Sequence, residues 1–119
     1  MMQRFHRDFG FDEKIAAQII NRIHQLPKLN YTLHAKRETI EDKNAIVPII
    51  KLSDVTYDNI REYTVEHGQV IKFIVRLQDR DPKTDFCYVI GMDGSVITVW
   101  ATRKLSSQSV LRPTLYART

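Results

Sequence analysis

The apolar positions of this chain follow two periods, helix-spaced in its first third and alternating in its second half. Between Glu13 and Leu26, Ile15, Ile19, Ile20 and Ile23 recur every three or four residues with Ala16 beside them, which predicts a helix with one apolar side. Asp12 is placed to cap it, Phe11 to staple its entry, and Pro27 to end it by denying Leu26 helical geometry. His24 sits where it would support the helix dipole or meet solvent. Asn30 to Thr32 can start a second helix over roughly 32–43, with His34, Arg37, Glu38 and Glu41 along a shared side. Lys43-Asn44 reads as a turn. Ala45 to Ile50, broken by Pro48, reads as a short edge strand or an extended connector.

From Gln69 the period changes to two. Ile71, Phe73, Val75 and Leu77 take one face of a strand, and Val70, Lys72, Ile74 and Arg76 the other. Asp85–Met92 and Ser95–Thr102 are two further strands, joined through Asp93-Gly94, the pair favoured in a type I′ turn. With Met92 opposite Ser95, Ile90 faces Ile97, Tyr88 faces Val99 and Phe86 faces Ala101. Cys87, Val89, Thr98 and Trp100 then fall on the reverse side. Residues 54–66 suit a helix capped by Asp54 or a strand alternating through Arg61, Tyr63 and Val65. The strand is preferred because His67-Gly68 supplies a hairpin, read as a three-residue loop pairing Val65 with Gln69. Residues 1–10 read as a loose lead-in, 78–85 as a charged loop, and 104–119 as an irregular tail pinned by Val110, Leu111, Leu115 and Tyr116. The expected architecture is one α+β domain over residues 1–119, its N-terminal helices packed on one face of a four-stranded antiparallel β-meander.

Composition narrows the classes. At 119 residues a modest core is within reach without metal or disulfide. The one cysteine, Cys87, excludes an internal disulfide, and its place between Phe86 and Tyr88 favours a packed thiol over a reactive one. No apolar run has the length of a membrane helix, and the first residues lack a signal peptide's apolar region and cleavage motif. The expectation is a soluble, cytoplasmic protein of a bacterial cell, with no membrane partner. Charge is unevenly spread. Residues 1–68 carry ten basic and ten acidic groups, whereas residues 69–119 carry eight and four, so the whole net +4 lies in the sheet and tail. An anionic partner, nucleic acid first, fits that asymmetry, and a merely solubilising surface fits it as well.

No metal motif, phosphate loop or nucleophile elbow is present, so neither metal nor cofactor is expected. What remains is a dispersed set of His, Lys, Arg, Thr and aromatic residues, the repertoire of metal-free RNA cleavage. There a base takes the 2′-hydroxyl proton, an acid protonates the leaving oxygen, and fixed cations hold the phosphorane. His34 is the expected base or acid, and Arg37, Lys72 and Arg76 the phosphate holders, with Thr98 as a hydrogen-bond donor. Trp100 would stack a base, and Lys36, Arg103 and Lys104 would add RNA contacts. Each has a plainer reading: His34 pairing with Glu38, Lys72 and Arg76 as the wet side of a strand, Trp100 packed beneath a helix or the tail.

The order HAKR (His34 to Arg37), KFIVR (Lys72 to Arg76), DFCYVI and VITVW resembles a family of small, mostly uncharacterised phage and bacterial proteins. Its architecture is similar to that of RelE-like and colicin-D-like ribonucleases. The resemblance covers about residues 32–103 and implicates His34, Arg37, Lys72, Arg76, Thr98 and Trp100. It implies tRNA or mRNA as substrate and an immunity or host protein as partner. The family's later His-x-Thr-Leu segment is represented only by Thr114-Leu115 and Tyr116, without the histidine. A non-enzymatic protein binding a host protein or nucleic acid on the basic sheet face is the second reading. An assembly protein using its edge strands is the third.

Overall fold

Helix α1 runs Glu13–Ile23, and its start is the predicted one, since the Lys14 N–H donates to Asp12 Oδ1 at 2.8 Å. The computed structural model describes residues 2–41, 46–78 and 84–103. α1 ends three residues before Leu26, its chain turning through the Gln25 N–H on Arg22 O and the Leu26 N–H on Ile23 O. The His24 Nε2 is 2.7 Å from the Val55 carbonyl, so this histidine ties the helix end to a neighbouring loop rather than facing water alone. Helix α2, Leu33–Glu41, is capped by Thr32, whose hydroxyl accepts the Ala35 N–H at 3.1 Å.

The sheet corrects the expected architecture. It is a six-stranded mixed sheet, not a four-stranded antiparallel meander, in the order β1-β3-β4-β5-β6-β2. The strands are β1 Met2–His6, β2 Asn30–Tyr31, β3 Ile60–Glu66, β4 Gln69–Gln78, β5 Thr84–Gly91 and β6 Ser95–Arg103. β1 pairs antiparallel with β3, so residues read as a loose lead-in form an edge strand. β2 pairs parallel with β6 and makes the sheet mixed. Neither addition carries a readable period: β2 has two residues, and β1 holds one core contributor, Phe5, among polar neighbours. Residues 54–66 divide, with a short 3₁₀ turn at Tyr57–Asn59 and β3 only from Ile60. Residues 46–50 are an irregular connector, and the tail 104–119 lies outside the described residues.

The two hairpins exchange the turn types expected of them. β3 and β4 pair Glu66 with Gln69 across two residues, His67 and Gly68, at φ 52 and 75. Positive φ at both central positions is the type I′ signature. Between β5 and β6 only Gly94 is left-handed, at φ 90, and its N–H closes onto Gly91 O at 2.9 Å. The loop is therefore longer than two residues, and a bulge follows it. Ile90 pairs with Val96 and Val89 with Thr98, so Ile97 is the extra residue. Val96 thereby enters the core and Ile97 is turned out, whereas Tyr88 still faces Val99 and Phe86 faces Ala101.

One core results. Ile19 and Ile23 of α1, Ala35 of α2, Tyr63, Phe73, Val75, Tyr88, Ile90 and Val99 belong to it. Tyr63 also anchors the start of α1, its hydroxyl accepting the Asp12 N–H at 3.0 Å while its ring meets Phe5 and Phe11 at 5.3 and 5.2 Å.

Candidate functional site

On the reverse side of the sheet, cross-strand pairing sets side chains in rows. Arg4, Thr64, Lys72 and Gly91 form one row across β1, β3, β4 and β5; His6, Glu62, Ile74, Val89 and Thr98 form the next; Arg76, Cys87 and Trp100 form a third. This is the surface on which the RNA site was expected, and most of it is closed. Trp100 is 4% exposed and packs with Ile74, Cys87 and Val89 in a second apolar cluster. Cys87 is fully buried there, a packed thiol. Arg76 is held by Asp85, Nε to Oδ2 at 2.8 Å, with both side chains about nine-tenths covered. A guanidinium committed to a buried carboxylate is not presented to a phosphate in solution, and a buried indole is not a stacking platform.

The other expected residues part company. Lys72 and Thr98 line one small cleft of about 90 Å³ with Arg4, Glu62, Thr64, Ile74, Val89 and Ile97. His34 is on exposed α2, its Nε2 3.2 Å from Glu38 Oε1, the plainer pairing considered for it. That same Glu38 oxygen accepts the Val99 N–H at 3.1 Å, so α2 continues the cover that β2 begins along β6. His34 does not line the Lys72 cleft. Lys36 and Arg37 are exposed on α2. Arg103 closes β6 with its side chain outside the description, and Lys104 lies outside the described residues altogether.

His6, which the sequence reading did not single out, lies buried in the second row at the β1 edge. Its Nδ1 accepts the Asp8 N–H at 3.2 Å. Burial pulls its pKa below the ordinary histidine value and Arg61 pulls the same way, against the opposing pull of Asp8.

The second feature missed is on α2 and the connector after it. The buried side of α2 consists of small residues, Ala35 and Thr39, while Leu33 and Ile40 are 66% and 75% exposed. Seven residues apart, these two lie on one side of the helix, with Lys36 and Arg37 between them at the intervening turn. In the connector, Val47 and Ile50 point in and Ile46 and Ile49 point out, at 76% and 70% exposed. This backbone is tethered on several sides. The Val47 N–H donates to Thr39 O at 3.0 Å, the Tyr88 hydroxyl to Pro48 O at 2.7 Å, and the Ile50 N–H to the Tyr31 hydroxyl at 2.9 Å. The contrast with α1 is direct, for that helix buries Ile19 and Ile23 and turns Lys14, Gln18 and Asn21 to solvent. A signal was present in the sequence: with Leu33 and Ile40 on one side and Ala35 and Thr39 on another, the helix cannot bury both.

Among the described residues no group of His, Cys, Asp and Glu is arranged to hold a metal ion, and no helix is long and apolar enough to cross a membrane. No protein-family model, curated protein or solved structure matches the chain, and nothing in these comparisons bears on the ribonuclease resemblance.

Proposed function

We propose that this domain acts by binding a protein partner on the surface formed by α2 and residues 46–50, rather than by cleaving RNA. The observation that carries the reading is the set of four aliphatic side chains, Leu33, Ile40, Ile46 and Ile49, each 66% exposed or more on a hydrogen-bonded frame. Covering a side chain of this kind contributes roughly 1.5–3 kcal/mol, so a partner that covers several has a substantial driving force. Lone exposed aliphatics are common on protein surfaces; a helix that turns its large residues outward and its small ones inward is not. Lys36 and Arg37 sit among them, which favours a partner surface combining apolar side chains with carboxylates.

The test is affinity capture from bacterial lysate with the wild-type chain and with Leu33→Ser/Ile40→Ser, followed by direct titration of the captured protein. The reading expects a defined partner whose affinity falls at least tenfold in the double variant, a loss of hot-spot size. Equal affinity of the two chains would remove the α2 surface from consideration.

The ribonuclease reading keeps one supporting observation, the shared cleft of Lys72 and Thr98. It is separated by incubating the wild-type chain with total RNA in EDTA. Cleavage that persists in EDTA and disappears in His34→Ala would favour the enzyme and count against the binding domain.

A further inference from the structure

A cleft on the reverse side of the sheet surrounds Lys72, whose cross-strand neighbour is Gly91. In the row Arg4, Thr64, Lys72, Gly91, the last position has no side chain, and the β6 bulge beside it turns Ile97 away from the core. A Cβ on Gly91 would meet Asp93 Oδ1 first, at 2.8 Å, and Ile97 Cδ1 at 3.6 Å, so Gly91 adjoins the Ile97 wall of the cleft without lining it. The floor is apolar, made by Ile74 and Val89, and the walls are polar, made by Arg4, Glu62, Thr64, Lys72 and Thr98. Arg4 and Glu62 are already engaged in contacts of their own. Lys72 is half-buried, and among the described residues its ammonium forms no hydrogen bond or ion pair. Thr64 and Thr98 border the same space.

We propose that this cleft is a binding site for a small monocarboxylate, with the carboxylate on Lys72 and the Thr64 and Thr98 hydroxyls and its short alkyl part on Ile74 and Val89. Size and charge select the class. A volume of about 90 Å³ is on the scale of a molecule of a few heavy atoms. Arg4 and Lys72 carry two positive charges and Glu62 one negative, so the lining side chains sum to +1 (2 − 1 = +1). A monoanion balances that sum, whereas a phosphate dianion overshoots it beside the Glu62 carboxylate. The site is separate from the α2 surface, and its success or failure leaves the protein-binding reading untouched.

The experiment is amide NMR of the ¹⁵N-labelled full chain, titrated with sodium butyrate and, at matched ionic strength, with sodium phosphate. Saturable shifts confined to Thr64, Lys72, Gly91, Ile97 and Thr98 with butyrate are expected, with no saturable response to phosphate. Lys72→Met should weaken butyrate binding about tenfold or more, the loss of one charge-assisted hydrogen bond. Thr98→Val, nearly isosteric, should weaken it severalfold and covers the case in which Lys72→Met does not fold. Absence of saturation with butyrate, equal saturation by phosphate, or butyrate affinity unchanged in the folded variants overturns the assignment.

Discussion

The reverse side of the sheet and the outer side of α2 are opposites in composition and in burial. The first carries Glu62, Thr64, Arg76, Asp85 and Trp100, and the two carboxylates, the threonine and the indole are each at most 6% exposed. The second carries Leu33, Ile40 and, through the connector, Ile46 and Ile49, all at least 66% exposed. Arg76 and Asp85 pair with each other under cover, so these two charged groups belong to the fold. Exposed aliphatics contribute nothing to the fold and are available to whatever covers them. On the proposed reading, exposure rather than polarity marks the protein-docking surface.

Substitutions can break that comparison, the largest effects coming first. Arg76→Ala removes the partner of the buried Asp85 Oδ2 and should lower unfolding stability by about 3–5 kcal/mol in a denaturant titration, while Arg37→Ala should stay within about 0.5. Equal midpoints for the two variants would mean that the reverse face is no more structural than the helix surface. Trp100→Ala opens a hole among Ile74, Cys87 and Val89 and should cost about 3–5 kcal/mol; Ile40→Ala should be close to neutral. A loss above about 2 kcal/mol at Ile40 would place it in the core and withdraw it from the docking surface.

A smaller effect concerns the helix starts. Asp12→Ala should cost about 1 kcal/mol through the lost bond to the Lys14 N–H. Thr32→Ala should cost a similar amount, because its hydroxyl accepts the Ala35 N–H and donates to Ile97 O at 3.3 Å. The smallest effect is the pH dependence set by His6. Its folded pKa lies below the unfolded value near 6.5, so the unfolded chain binds the proton first. The stability that neutral His6 contributes is complete above that value and declines as pH falls below it. Chemical unfolding of wild type and His6→Gln between about pH 7 and 5 should show a shallower slope for the variant.

Much of the centre of the fold could be read from the chain. Asp12 as cap, Phe73 and Val75 facing one way with Lys72, Ile74 and Arg76 the other, and Tyr88 opposite Val99 follow from spacing alone. What escaped was set by pairing rather than by period. Asn30-Tyr31 becomes a strand only because Ser95 and Val96 lie beside it, and Met2–His6 only because β3 offers an edge. The bulge at Ile97 depends on where Gly94 turns left-handed, a choice that Asp93-Gly94 leaves open between two loop lengths. The site was less legible for a related reason. Alternation assigns Lys72, Arg76, Thr98 and Trp100 to one side of a sheet, but it says nothing of whether that side is covered. The helical period puts Leu33 and Ile40 on one side of α2 but does not say that this side faces away from the sheet.

The most direct test places a photo-crosslinking amino acid at Ile40, at Ile49, at Gln18 on the polar side of α1, and at Trp100, each in the full chain in bacterial cells, with adducts identified by mass spectrometry. Adducts to the same protein from Ile40 and Ile49, and none from Gln18 or Trp100, are the predicted result. Adducts spread evenly over Gln18 and Ile40, or none at all from Ile40 and Ile49, would contradict the assignment of α2 and its connector as the docking surface.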